Sequence, residues 1–398
     1  MISVKSQKQN IKISLEAFCA FLPWAILPFS APLAFYSGLL MLFFLSFWYP
    51  SRFARITLAV CIVVGGAIGF GDSQLTGDMA NYHRTYTQIY NGNFDAIFDY
   101  GKGVEIIMPL FWALLAFVSG FLDHTTFGIL HSLCAGILFY IWLEKYAIKD
   151  LDTRYAALCV FLSLLMFNYW MPQWLLRQTF SSIFVLYALG ANTRLKTLTF
   201  VLLATLCHVT GIIFFTLWWL LKKYPKFGAW CIGILCISFL VGSFFPSLYV
   251  YASFLPESFA SKLVFYQHNL VGSMNDSFVT SIYLYILAII ICTWYYKESI
   301  DRRWLYIMIW YGILCLCANL VWSHFFIRVG LLYYYILLGF FTFISMQKNT
   351  LLLYFWGLVL FVNHMRSVYI AGIANLSNIQ YYFYTHGLGG EWFYFLFN

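Results

Sequence analysis

The chain has 398 residues, of which 62% are hydrophobic, 22% aromatic and only 10% charged, and its mean hydropathy is +0.78. A soluble domain of this length could not hide that much apolar surface, and apolar runs of about 18–20 residues recur along the chain, so the composition excludes a soluble enzyme and predicts a polytopic membrane protein. The net charge of +8 is carried mainly by short loops between apolar runs, which excludes a nucleic-acid-binding face and matches the cytoplasmic bias of Lys and Arg.

The spans must be helical, because hydrocarbon offers no partner to backbone N–H and C=O groups. A β-barrel would show short alternating segments instead. The expected fold is all-α, one integral membrane domain over 1–398 with about 11–13 transmembrane or re-entrant helices. The first apolar run contains Pro23 and Pro28 and continues into a second, unlike a cleavable signal. All ten cysteines lie in apolar segments, so no disulfide framework is expected.

In chain order the spacing predicts spans near 15–31, 33–49, 56–71, 104–121, 126–143, 155–170, 174–190, 197–221, 228–245, 277–296, 304–322, 325–346 and 350–370. Seventeen of the 23 basic residues fall in segments that this scheme makes cytoplasmic, which isolates the other six: Arg84, Lys102, Arg177, Lys262, Arg328 and Arg366. Two features break simple alternation. Segment 197–221 has cytoplasmic character at both ends, which a break at Cys207, His208, Val209, Thr210 and Gly211 would resolve as two half-helices. One of 104–121 and 126–143 cannot be a full crossing, and Glu105 and Pro109 single out the first. Loops 72–103 and 246–276 map to the outer, periplasmic face. In the first, Tyr82, Tyr86, Ile89 and Tyr90 recur at helical spacing, which predicts an amphipathic surface helix capped by Asp78.

Arginine cannot shed its proton, so an arginine inside or against an apolar run needs an anion, a wet cavity or an interface. Arg177 follows Trp170 and Trp174, precedes Gln178, and opens a span at the outer face. It is either a snorkelling helix-end residue or an anion ligand, with Gln178 as a second donor. Arg328, after Trp322, Ser323 and His324, poses the same choice. Two such arginines on different helices would clamp a diphosphate. His208 is either a hydrogen-bonded structural residue or a base, since burial favours the neutral imidazole. Asp78, Asn81, Tyr82, Arg84, Tyr86 and Glu105 read either as a solvated capped helix or as a sugar site, with Glu105 paired to Arg84 or Lys102. The histidines show no metal-ligand spacing and no phosphate-binding glycine loop is present, so no metal, ATP or other cofactor is expected.

Taken together these residues resemble the EpsG/Wzy group of polysaccharide polymerases. The resemblance lies in Gly77, Asp78, Asn81, Tyr82 and Tyr86 after a span, Glu105 opening the next apolar segment, Leu176, Arg177, Gln178 and Thr179 at a helix start, His208 with Thr210, and Arg328 opening a late span. It covers roughly 70–345. The chain departs from the group's pattern where Glu105 is followed by Ile106, Ile107 and Met108 rather than glycine and phenylalanine, whereas His208 and Thr210 with Val209 between them keep its spacing of histidine to hydroxyl residue.

The resemblance implies a metal-independent glycosyltransferase of GT-C type in the bacterial inner membrane, with its active site toward the periplasm. Its substrates would be undecaprenyl-diphosphate-linked oligosaccharides of O-antigen or a related surface polysaccharide, and a separate protein would set chain length. On this reading Arg177, Arg328 and Gln178 hold the diphosphate. His208, Asp78 and Glu105 are the catalytic candidates, and Asn81, Tyr82, Arg84 and Tyr86 hold sugar. A lipid-linked oligosaccharide flippase is the alternative; it would be expected to show two related halves, which the sequence lacks.

Overall fold

The structure, a computed structural model, describes residues 2–70, 77–100, 104–244, 276–321 and 328–374. Every regular element among them is helical. The described residues up to 211 and from 351 on form one compact unit, and those from 212 to 350 a second.

The first unit opens with α1 (Ile2–Ile26), α2 (Ala31–Leu45) and α3 (Arg52–Gly69). Ser30 and Ser51 cap α2 and α3 by accepting from the Leu33 and Ala54 N–H groups. Small residues let α2 and α3 touch along their backbones: a Cβ on Gly65 would lie 2.9 Å from the Ala31 carbonyl oxygen and the Phe35 nitrogen. Next come α4 (Gly77–Tyr90), α5 (Ala96–Tyr100), α6 (Ile107–Ser119) and α7 (His124–Trp142), the last extended by a π turn to Ala147. Asp123 caps α7 through the Thr125 and Thr126 N–H groups. α8 (Thr153–Met166), the short α9 (Met171–Trp174), α10 (Leu176–Gly190) and α11 (Arg194–Cys207) follow.

The expected surface helix in loop 72–103 is α4. Met79, Tyr82, Thr85, Tyr86 and Ile89 face inward, while Asp78, Asn81, Arg84 and Tyr90 face outward. Asp78 lies in the first turn of α4 rather than at its cap, where its charge favours the helix N-terminus. α4 packs on α5, α6, α7 and α9, and His83 Nε2 donates to the Leu122 carbonyl at 2.9 Å, holding α4 at the N-terminal end of α7.

With its π extension, α7 covers 24 residues, about 36 Å at 1.5 Å per residue and enough to cross a bilayer core. Its far end is tied to α3, where Arg55 forks onto Glu144 at 2.9 and 3.1 Å and Tyr140 donates to the same carboxylate at 2.8 Å. α6 has 13 residues, about 20 Å, too short for a full crossing, as Glu105 and Pro109 led us to expect.

The second unit contains α12 (Thr210–Lys223) from Ile212 on, α13 (Pro225–Phe244), α14 (Asp276–Tyr295), α15 (Arg302–Tyr306), and a π turn that leads into α16 (Gly312–Val321). Its core stacks Trp218, Tyr311, Tyr333 and Phe341, all fully buried. The two tyrosine hydroxyls donate to the Val329 and Met308 carbonyls, each at 2.8 Å. The expected span 325–346 is bent by 56° between Arg328–Ile336 and α17 (Leu338–Met346). α18 (Thr350–Ala374) packs in the first unit from Leu351 on. There His364 Nδ1 lies 2.9 Å from the Tyr36 hydroxyl, and Arg154 Nε donates to Tyr354 at 3.2 Å.

Among the described residues, three helices are long and apolar enough to cross a membrane, four if the bent pair counts as one span. Shorter apolar helices make up much of the rest, so several expected spans resolve as pieces too short to cross alone. The protein is an all-α polytopic membrane protein. The second outer loop lies outside the described residues except for Asp276, as do Asp72, Lys102, Lys262, Trp322, Ser323 and His324.

Candidate functional site

Three chain segments far apart in sequence converge in the first unit. α9 and the turn at Leu175 aim the start of α10 so that Arg177 reaches the segment just before α6, where its Nη1 contacts Glu105 Oε2. The expected break in 197–221 falls where the polar residues placed it. α11 ends at Cys207, the Gly211 N–H returns to the His208 carbonyl at 2.9 Å, and α12 starts at Thr210. The break presents the Val209 N–H to Glu105 Oε1 at 3.0 Å and His208 Nε2 to the same oxygen at 3.9 Å. Glu105 is thus the hub. One oxygen meets the arginine; the other meets the broken helix.

The expected pairing of Glu105 with Arg84 is corrected by this geometry, while Lys102 lies outside the described residues. Arg84 turns outward and donates to Asn81 at 2.9 Å, and Glu105 takes Arg177. An acid with only about an eighth of its side chain exposed needs an immediate cation, because an uncompensated charge in that setting is costly.

His208 is oriented by its own turn. The Thr210 N–H donates to Nδ1 at 3.2 Å, and the Thr210 hydroxyl lies 2.7 Å from the same nitrogen. With Nδ1 accepting, the neutral ring carries its proton on Nε2. The ring therefore offers a donor on its Glu105 side, not the acceptor that a base at this nitrogen requires.

Aromatic rings floor the site. The Arg177 guanidinium lies 4.8 Å from the centre of the Tyr100 ring. Tyr100 packs edge-on to Tyr82 at 6.0 Å and to Trp112 at 5.3 Å. Trp112 is anchored in turn, its indole N–H donating to His131 Nε2 at 3.0 Å while His131 Nδ1 donates to the Phe127 carbonyl at 2.6 Å. Burial pushes the Tyr100 hydroxyl well above its usual range; Tyr82, Asp78 and Glu105 push the same way and Arg177 opposes them. Asp78, Glu105 and Arg177 therefore share one electrostatic neighbourhood. Arg177 Nε is buried with no hydrogen-bond partner among the described residues, a donor left over in a site already holding an ion pair.

The remaining expected residues take different places. Gln178 is 2% exposed, buried in the first turn of α10. Tyr86 is fully buried; its hydroxyl donates to the Gly120 carbonyl and accepts from the Leu122 N–H. The sugar-binding expectation for Tyr86 is thereby corrected, since neither ring face nor hydroxyl is open. Tyr82 is 2% exposed and belongs to the aromatic floor. Asp78, Asn81 and Arg84 line the outward face of α4. Arg328 is half-buried at the start of its helix and belongs to the second unit, and Arg366 is exposed on α18.

Sequence reasoning missed Tyr100, Trp112 and the Val209 N–H. A tyrosine in a polar loop and a tryptophan in an apolar helix carry no mark of partnership, and a backbone donor carries none at all. Among the described residues no group of three His, Cys, Asp or Glu is close enough to hold a metal ion. All ten cysteines are free thiols.

No curated protein and no solved structure matches the chain. The family model described as the EpsG family matches residues 55–386. That match takes in α4, Glu105, Arg177, the His208 break and Arg328. The chain therefore belongs to the EpsG family and is a membrane-embedded polysaccharide polymerase of glycosyltransferase type.

Proposed function

We propose that the protein extends a surface glycan by joining lipid-linked oligosaccharides on the outer side of the bacterial inner membrane. The growing glycan leaves one undecaprenyl-diphosphate carrier and is transferred to the sugar of the next lipid-linked unit. The observation that carries this reading is the convergence of Arg177, Glu105 and His208 beside α4. A permanent cation, an imidazole N–H and a carboxylate meet near the end of membrane helices. A transfer needs such a set: donors for the negative charge that grows on the departing diphosphate, and a carboxylate for the proton of the attacking hydroxyl. No bound cation is invoked, since arginine supplies positive charge directly.

The side of the membrane follows from charge. The far end of α7 and the start of α3 carry Arg52, Arg55, Lys145 and Lys149, the composition of a cytoplasmic end. The Glu105 cluster is associated with α4 at the opposite end of α7, which supports an outer-side location. Asp78 near the acceptor, Asn81 and Arg84 as outward sugar contacts, and a partner that sets chain length complete the proposal.

Arg177→Ala tests it. In cells carrying this variant in place of the native gene, a glycan gel should show single repeat units on the lipid anchor and no long chains. Immunoblotting should find the protein still in the membrane. Native chain lengths from Arg177→Ala would remove this arginine from the reaction. Loss of all surface glycan, single units included, would point to transport instead.

A further inference from the structure

We propose that Glu105 is the base that deprotonates the acceptor hydroxyl, and that Arg177 masks it until the lipid diphosphate draws the guanidinium away. This inference rests on the polymerase reading above and goes beyond it, because it assigns an order of events to one ion pair.

Four observations carry it. Arg177 occupies Glu105 Oε2, so at rest that oxygen is closed to an acceptor hydroxyl. Glu105 does not depend on Arg177 for its position, because the Val209 N–H holds the other oxygen at 3.0 Å with His208 Nε2 nearby at 3.9 Å. If the arginine moves, the carboxylate stays. The guanidinium, which also hydrogen-bonds Tyr82, keeps its Nε buried and without a partner among the described residues, and a phosphate that takes Nε and Nη together gains two parallel bonds where the carboxylate now holds one. Finally, the Tyr100 face lies 4.8 Å from the guanidinium, a surface over which a flat cation slides between partners without meeting hydrocarbon. A diphosphate diester carries two negative charges against one on Glu105, so the exchange runs toward substrate.

The step then balances. The acceptor hydroxyl gives its proton to the vacated Glu105 Oε2. The oxygen's electron pair bonds to the anomeric carbon of the donor glycan. The bond from that carbon to the diphosphate oxygen breaks, and its pair leaves on the diphosphate, which meets Arg177 and the His208 Nε2–H. Undecaprenyl diphosphate departs, Glu105 returns its proton to water, and the ion pair closes again. Without a bound diphosphate the base stays masked, which protects the site from idle proton transfer.

The test uses the full chain in proteoliposomes, with undecaprenyl diphosphate as the binding probe and lipid-linked repeat units for turnover. Glu105→Gln removes the competing charge. It should bind the probe about threefold or more tightly than the native protein, yet extend glycan about 100-fold or more slowly, the scale of a lost general base. Weaker probe binding by Glu105→Gln, or turnover within about tenfold of native, overturns the proposal. The exchanged pair Glu105→Arg with Arg177→Glu covers the case in which the single variant fails to fold. It should recover thermal stability and remain inactive; recovered turnover would show that the pair is only a strut and would overturn the proposal. Failure of the native protein to bind the probe at all would overturn the polymerase reading itself, a result distinct from failure of the exchange.

Discussion

Arg177 shows how far one residue can be read from sequence and where reading stops. Its permanent charge at the start of an apolar helix demands a counter-charge, and that demand is visible in the sequence. Which acid answers it is not, because Glu105 lies 72 positions away and the pairing depends on how α6 and α10 are brought together. Tyr86 makes the converse point. Its spacing with Tyr82 marks a buried helix face as readily as a sugar platform, and the hydroxyl's two backbone partners decide for burial. Tyr86→Phe should therefore lower stability by about 1–3 kcal/mol, the cost of leaving buried backbone groups unsatisfied. It should leave the KM for lipid-linked substrate unchanged. Thermal unfolding in detergent and steady-state turnover check both parts, and a raised KM at unchanged stability would return Tyr86 to the sugar site.

At the scale of elements, polar residues in apolar runs were the dependable guide. Glu105 and Pro109 announced the short α6, and the His208 region announced the break between α11 and α12. The break forms where the Thr210 N–H turns to His208 Nδ1 in place of a helix carbonyl, with the Thr210 hydroxyl at the same nitrogen. It is also held from outside: the Ser181 hydroxyl donates to the His208 carbonyl at 3.4 Å. Gly211 lets α10 and α11 press against the turn. An added Cβ there would lie 2.8 Å from the Ala204 carbonyl and collide with the Ser181 hydroxyl. Gly211→Ala should thus cost about 1–3 kcal/mol through overpacking and shift the Val209 N–H off Glu105, so that turnover falls along with stability. A lower melting temperature with native turnover would show that the break tolerates repositioning. The bend at Leu337 had no such herald, since the flanking residues are uniformly apolar or aromatic.

For the whole molecule, orientation is the claim most open to test. A single cysteine at Tyr90, on the exposed end of α4, should react with a membrane-impermeant maleimide added outside spheroplasts, whereas one at Lys149 should react only after lysis. The reverse pattern would place the Glu105 cluster in the cytoplasm and end the outer-face reading. The sequence alone determined the solvent this protein lives in, its helical class and the charge bias of its loops. Each follows from composition and local pattern through the cost of exposing polar backbone and charge to hydrocarbon. Only the tertiary structure decided the partners: Glu105 with Arg177 and Val209, Tyr100 under the guanidinium, Tyr86 turned inward. Partnership depends on distances between segments remote in the chain, and helical periodicity reports the face a residue is on but not what that face meets.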